Sequence, residues 1–439
     1  MVMIYWAQLL HFYQPPTQLH WVLDKICHES YRPLIEVFDD HPHARATVNI
    51  NGTLIEMLHE HGMGDVLDGL RALAERGQIE FTGTGKYHPI LPLLPEDEMD
   101  RQIALNKRTS RHFLGPTYEP RGFFPPELSY SRNIIWPVIK SGHEWMILSG
   151  IANPATWPVD TIYQVGCDEA AGCGQRRLAV FFRDDWLSND ISFQRISAGG
   201  FLSRLEQLGQ GRPDTYVVTA MDAETYGHHI QGWEDRFLAE VYEELQPSRE
   251  THSGIVQAYP LAPHATSLLQ AASESHQIQA VTISELLQLF PRGAIVQPLA
   301  SSWSTSGEDL QAGNPYPLWL DKDNEIHHLQ WQHLNLAMDM VRKAISWADN
   351  PASRRYAGIA RGLLDRALHS CQFWWASRRP MWDINIVYKG LELQDATILN
   401  AYKAINSSGA SGENKTEQYY RVVAARDLHN KIIDRLFMA

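Results

Sequence analysis

The sequence predicts an α/β fold, with a barrel-like domain over residues 1–295 and a helical domain over 296–439. Three observations predict it. Short apolar runs recur with helical patterns between them, the texture of parallel strands buried on both faces and joined by crossover helices. That alternation stops at the turn "FPRGA", 290–294, and beyond Pro298 only helical patterns remain. A chain of 439 residues is also long enough to bury a large core of this kind.

Taken in order, the strand candidates are "MIYWAQLL" (3–10), "ARATVNI" (44–50), "IEFTGT" (79–84), "RGFFP" (121–125), "EWMIL" (144–148), "LAVFF" (178–182), "YVVTAM" (216–221) and "QAVTI" (279–283). Amphipathic stretches at 53–77, 95–115 and 232–246 supply helices between them. Ser284 is the expected N-cap of a helix over "ELLQLF". The irregular segment "SSWSTSGEDLQAGNPYPLWLDKDNE" then leads into helices expected at 329–348, 354–375 and 392–405, and a last one from about Glu417.

The formal charge is −13, from 38 basic and 51 acidic residues, and no dense Lys/Arg cluster is present, so nucleic acid is not an expected partner and a neutral substrate suits the surface better. Fourteen Trp and seventeen Tyr are many; flat rings stack on sugar faces, although core packing accounts for most of them. Cys167 and Cys173 lie close enough in sequence for a loop disulfide or a metal site, but isolated thiols are the more ordinary reading. The apolar start lacks a basic n-region and a cleavage site, and His11 and two prolines cut it short of a membrane span. It reads as a first strand in a cytoplasmic protein, with no membrane partner.

In parallel barrels the residues just past the carboxyl ends of the strands converge on one face. The first strand leads into His11, Tyr13 and Gln14 before Pro15 and Pro16, which hold an imidazole and an amide at the mouth. The third leads into Tyr87 and His88, and the fourth into Glu127 behind Pro125 and Pro126. "FFRDDWLSNDISF" offers Arg183, Asp184, Asp185 and Asp190, and "YVVTAM" ends in Asp222 and Glu224. Carboxyls from different strands, such as Glu127 and Asp222, can flank a glycosidic bond, one attacking and one delivering a proton, if their surroundings push their pKa values apart. Each acid taken singly has the ordinary account of a helix cap, an ion pair or a solvated loop charge; the prolines and the strand-end positions favour chemistry. His11, His88, His228 and His229 with Asp222 form a rival zinc set, against which stands the absence of H-x-x-x-H or a His–Glu helix pattern.

These stretches, in order, resemble glycoside hydrolase family 57. "HFYQPP", "KYHPILPLL", "GFFPPE" and "MDAETYGHH" look like its first four motif regions, and "SSWSTS", "PYPLW", "NEIHHLQW" and "HSCQFWWAS" look like its later part. The resemblance implies an incomplete (β/α)7 barrel, a helical bundle completing the cleft, retaining chemistry on α-glucans and no catalytic metal or other cofactor. By the same resemblance Glu127 is the nucleophile and Asp222 the general acid/base. His11 and His88 bind sugar hydroxyls, with Gln14 beside them, and Glu224 contacts substrate or supports the site. Trp303, Trp374 and Trp375 are implied as stacking platforms, with core packing the alternative for each. Phe124 departs from the Trp often found in the position before the prolines; it can stack but cannot donate an N–H bond. The implied reaction is amylase-type cleavage of α-1,4 bonds, with 4-α-glucanotransferase and branching activity as alternatives sharing the same carboxylates. A zinc-dependent polysaccharide deacetylase and a silent glucan-binding protein are more distant readings.

Overall fold

The computed structural model describes residues 2–166, 175–245, 276–379 and 382–438, so the Cys167 and Cys173 loop lies outside the described residues. Ten strands form one curled sheet: β1 Val2–Phe12, β2 Ala46–Ile50, β3 Ile79–Gly83, β4 Gly122–Phe123, β5 Trp145–Leu148, β6 Ile162–Gly166, β7 Arg177–Phe182, β8 Thr215–Asp222, β9 His276–Val281 and β10 Arg292–Ile295. The run β7-β5-β4-β3-β2-β1-β8 is parallel throughout, which makes seven barrel strands. The barrel is incomplete because β7 and β8 share no ladder. Just past β7, the Asp184 N–H donates to Val218 O (2.7 Å) and the Arg183 guanidinium to Ala220 O (2.7 Å), pinning the two ends together. β1 lies along β8 through Ile4–His11; its other edge is divided between β9 at Val2–Ala7 and β2 at Leu9–Phe12.

The two-residue period of a strand decides what each side chain meets. Ile4, Trp6, Leu10 and Phe12 face one apolar core with Val48, Val217 and Met221. Ala7 and Leu9 face the barrel interior with Phe124, Trp145, Ile147, Phe181, Val218 and Ala220. Continuing the inward set by one step brings His11 from β1 and Asp222 from β8 to the mouth, directly across from each other in the ladder. Inside the barrel Gly122 leaves room for the Trp145 indole, since a Cβ there would lie 1.9 Å from Cζ2.

Two strands escape the sequence pattern. β6 runs antiparallel to β7, and β10 pairs with β6 at the edge of the sheet. Neither is a continuous buried run, since β10 is largely exposed, so periodicity carries no signal for them. The helix expected over 53–77 is two helices, Gly52–Glu60 and Gly64–Glu75, because Gly62 takes φ 78° and caps the first. The cap of helix Ile283–Leu289 is Thr282, not Ser284: Thr282 closes a capping box with Glu285, while the Ser284 hydroxyl accepts the Trp145 indole N–H at 2.8 Å. Helices Glu325–Ser346, Pro351–Ala367, Ile384–Ser407 and Gly412–Met438 follow the sheet, the last beginning before Glu417. The stretch expected as one helix over 354–375 breaks after Ala367 and resumes only at Cys371–Trp374. No helix among the described residues is long and apolar enough to cross a membrane.

One core unites β5 and β7 with the later helices, through Met146, Leu148, Val180, Leu334, Val341, Leu364 and Ile405. A buried ion network reinforces it. Arg361 grips Glu98 with two bonds (2.7 and 2.8 Å) and reaches Asp365 at 2.9 Å, and Arg101 pairs with Asp365 at 2.7 Å. Arg361→Ala strands the Glu98 carboxylate, only 5% exposed, without its cation. We expect a loss of about 3–5 kcal/mol in unfolding free energy, read from urea denaturation; a loss below about 1 kcal/mol, the value of a surface pair, would refute the buried assignment.

Candidate active site

Glu127 follows β4 in a tight turn whose backbone is left-handed at Glu127 (φ 61°) and Leu128 (φ 47°). Non-glycine residues adopt this region only where their surroundings enforce it. The enforcement comes from residues 301–303. Tyr130 and Ser301 exchange N–H···O bonds (2.8 and 3.1 Å), and the Trp303 N–H donates to Glu127 O at 3.1 Å. The Trp303 indole Nε1 then donates to Glu127 Oε2 (2.9 Å), and the Ser370 hydroxyl lies 3.3 Å from Oε1.

His88 is also left-handed (φ 55°), which turns its ring toward the same carboxylate, Nδ1 to Oε1 3.5 Å. Phe124, His11, His88 and Tyr13 form a cluster of near-parallel rings: His11 lies 4.6 Å from Phe124 and 4.9 Å from His88 between centroids, and Tyr13 lies 3.9 Å from His88 and 5.9 Å from His11. Burial pushes both imidazoles below their ordinary pKa, His88 further because His11 repels a second charge. They therefore act at neutral pH as neutral donors and acceptors. Asn49 donates to Thr82 Oγ1 (2.8 Å), so its carbonyl oxygen faces His11 Nδ1 at 2.7 Å. That assigns the proton of His11 to Nδ1 and leaves Nε2 as an acceptor.

Asp222 ends β8, and Glu224 sits one turn later in a buried bend at 223–225. The strand thus stops before it could place both acids on one face. Glu224 turns instead to Gln14 Nε2 (2.8 Å) and the Tyr31 hydroxyl, and Gln14 is held in turn by Gln18 at 2.8 Å. Gly227, at φ 96°, lets the chain leave the mouth; a Cβ there would meet Glu29 O at 1.7 Å. Among the described residues no donor hydrogen-bonds the Asp222 carboxylate. The basic groups acting on it are His11 and Arg183, whose guanidinium is spent on Ala220 O, Asp185 and Asn189.

Burial raises all three carboxyls. Glu127 and Glu224 each rise to about 8, with the charge of Asp222 as the second cause in both; donors from Trp303 and Ser370 pull Glu127 back, and Tyr31 and Gln14 pull Glu224 back. Asp222 rises by desolvation, opposed by His11 and Arg183. A group raised on folding contributes full stability below its unfolded value, near 4.5 for Glu, and loses it as pH rises through about 8. Glu127→Gln and Glu224→Gln are therefore expected to raise Tm at about pH 8 and leave it unchanged at about pH 4. Thermal melts at both values check this, and an equal shift at both would refute it.

The structure thus gathers Glu127, Asp222, His11, His88 and Trp303 around one mouth, with Gln14 and Glu224 bonded together beside it. Trp374 and Trp375 pack on each other, centroids 4.9 Å apart, and against the cores of the later helices. His228 pairs with Glu29 (2.6 Å) rather than with His11 or His88, and among the described residues no three His, Cys, Asp or Glu side chains form a metal-ligand set. Asp184 caps helix Asp185–Ser192, and Asp185 binds Arg183. Sequence reasoning missed Asn49, Tyr31 and Ser370. Asn49 was findable as a polar, wholly buried position on β2, and Ser370 lies in the "HSCQFWWAS" stretch already singled out, where the tryptophans drew attention instead; Tyr31 carries no local signal.

A family model described as glycosyl hydrolase family 57 matches residues 7–257. The 4-alpha-glucanotransferase of Thermococcus litoralis is 25% identical over 378 residues, 79% of this chain and 51% of that protein. The alpha-amylase of Pyrococcus horikoshii is 25% identical over 316 residues, 69% of this chain and 43% of that protein. The chain thus spans about half the length of these curated relatives. Among solved structures, the same Thermococcus litoralis enzyme superposes with TM-score 0.67 at 21% identity, over 94% of this chain and 61% of that one. A branching enzyme from Thermococcus kodakaraensis superposes with TM-score 0.65 at 15% identity, over 97% and 95% of the two chains.

Proposed function

Because this chain belongs to glycosyl hydrolase family 57, whose model spans more than half of it, we propose that it is a retaining enzyme acting on the α-1,4 bonds of an α-glucan. Glu127 attacks the anomeric carbon and forms a glycosyl ester; Asp222 protonates the leaving oxygen and then deprotonates the incoming hydroxyl. One observation carries the assignment of roles. Burial and the Asp222 charge raise Glu127 to about 8, but Glu127 accepts from Trp303 and faces the Ser370 hydroxyl, which both favour its ionised form; Asp222 has no donor among the described residues, so donor geometry makes it the better place for a proton the two carboxyls share. The lone pairs on His11 Nε2 and His88 Nε2 are suited to accept sugar hydroxyls, and the edge-on Trp303 borders the same space. Glu224 and Gln14 support this wall of the mouth, and Trp374 and Trp375 supply aromatic surface further out.

In this reading residues 1–295 are the catalytic barrel and 296–439 a helical unit completing the cleft. The end of the last strand at Ile295 and the reach of Trp303 and Ser370 to Glu127 support that division. The cell compartment in which it works is taken as the cytoplasm. Hydrolysis and transfer use the same ester and differ in the acceptor; we favour amylase-type hydrolysis, with 4-α-glucanotransferase activity as the second reading, since relatives bear both names. The test is incubation of the protein with maltoheptaose, reading product masses and the anomeric form of new ends. Shorter products with α-ends mean hydrolysis, longer products beside shorter ones mean transfer, and an unchanged chain length overturns the proposal.

A further inference from the structure

Ser370 reaches the mouth from a part of the chain 243 residues beyond Glu127. Helix Pro351–Ala367 stops three residues earlier, and the turn between helices is clamped onto the barrel: the Ser370 N–H donates to His88 O at 3.1 Å, while Ser370 O accepts from Phe373 and Trp374 N–H. The side chain is wholly buried. Its Oγ lies 3.0 Å from His88 Nδ1 and 3.3 Å from Glu127 Oε1.

A hydroxyl has one proton and can donate once. When Glu127 is ionised it can only accept, so Ser370 gives its O–H to Glu127 and its oxygen accepts from His88 Nδ1–H. The imidazole is then fixed as the Nδ1–H tautomer, and Nε2, which is buried with no hydrogen-bond partner among the described residues, is left as a lone pair. When Glu127 is protonated the chain can reverse, with Glu127 donating to Ser370, Ser370 donating to Nδ1, and the ring proton on Nε2. Without Ser370 the only remaining contact between His88 and Glu127 is the 3.5 Å approach, too long for a good hydrogen bond.

We propose that Ser370 is a positioning residue of the reaction, joining His88 to Glu127 so that the attacking carboxylate is oriented and its ionised form favoured while His88 offers Nε2 to a substrate hydroxyl. This rests on the assignment of Glu127 as the nucleophile. It gives the helical region a part in the chemistry beyond covering the cleft. Trp303 holds Oε2 and Ser370 faces Oε1, so the two oxygens are held by separate elements, both from beyond the last strand.

The titratable groups facing this relay are Asp222, His88, His11, His369, Tyr13 and Cys371. Burial holds Tyr13 and Cys371 protonated and the three histidines neutral across the neutral range, which leaves the Glu127 and Asp222 pair to set the pH profile. The experiment is the pH dependence of kcat/KM on maltoheptaose for the full chain, Ser370→Ala and Ser370→Thr. Loss of the donor disfavours ionised Glu127, so Ser370→Ala should lose about tenfold in kcat/KM, and its acidic limb should move up by about one pH unit. Ser370→Thr, which keeps the hydroxyl, should stay near the parent. A purely structural serine would lower Tm and leave the limb in place. If Ser370→Ala does not fold, Ser370→Cys, with a weak S–H donor, carries the same expectation. Trapping with a slow fluorinated maltosyl fluoride and locating the label separates the two ideas. A label on Glu127 with an unmoved acidic limb overturns the Ser370 proposal alone; a label elsewhere overturns the nucleophile assignment and the proposal with it.

Discussion

Glu127→Ala is expected to lower turnover of maltoheptaose by on the order of 10⁴-fold or more, because in the proposed mechanism it removes the atom that bonds to the anomeric carbon. The loss should fall on kcat, since the imidazoles of His11 and His88 proposed to bind the sugar remain, held by Asn49 and Ser370. The vacated space also makes a stereochemical prediction. Added azide can occupy the position of the missing carboxylate and attack an activated α-maltosyl substrate from the opposite face, so the product should be the β-glycosyl azide. Mass spectrometry and the anomeric proton coupling of the product read this directly. Parent-like rates in Glu127→Ala would remove Glu127 from the mechanism.

Asp222→Ala is expected to lose about 10²–10⁴-fold on maltoheptaose, the usual contribution of a positioned proton donor. The loss should shrink on a substrate whose leaving group departs without protonation, such as a nitrophenyl maltoside. With such a substrate the proposed ester on Glu127 should still form, and azide should attack it from the face the leaving group has vacated, giving the α-glycosyl azide. The two alanine variants should thus yield azides of opposite configuration, and the same anomer from both would reject the division of labour. Asp222 must carry its proton to act as the acid, and burial raises its pKa. The alkaline limb of kcat/KM should therefore flatten in Asp222→Ala, since the group whose deprotonation ends activity is gone.

Much of this site is readable from the chain because strand periodicity is a local property. Alternation along β1 and β8 sends every second residue into the barrel, so His11 and Asp222 follow from the positions of Leu9 and Ala220. The prolines before Glu127 likewise mark a rigid turn at a strand end. Local pattern fails where burial is uneven: β10 is too exposed for an apolar run, and the break at Gly62 sits inside an otherwise continuous helical pattern. Sequence distance hid the rest. Tyr31 meets Glu224 across 193 residues, Trp303 meets Glu127 across 176, and His88 meets Ser370 across 282.

The sequence by itself therefore determined the α/β architecture, the helical region that follows it and the two carboxyls at strand ends, since each depends on spacing between near neighbours. Only the tertiary structure decided what surrounds those carboxyls: which one receives donors, which histidine nitrogen keeps its proton, and that Glu224 turns away to Gln14 and Tyr31. Hydrogen bonds and desolvation act between groups that closure of the fold brings within about 3 Å. No spacing along the chain records which distant residues will meet there.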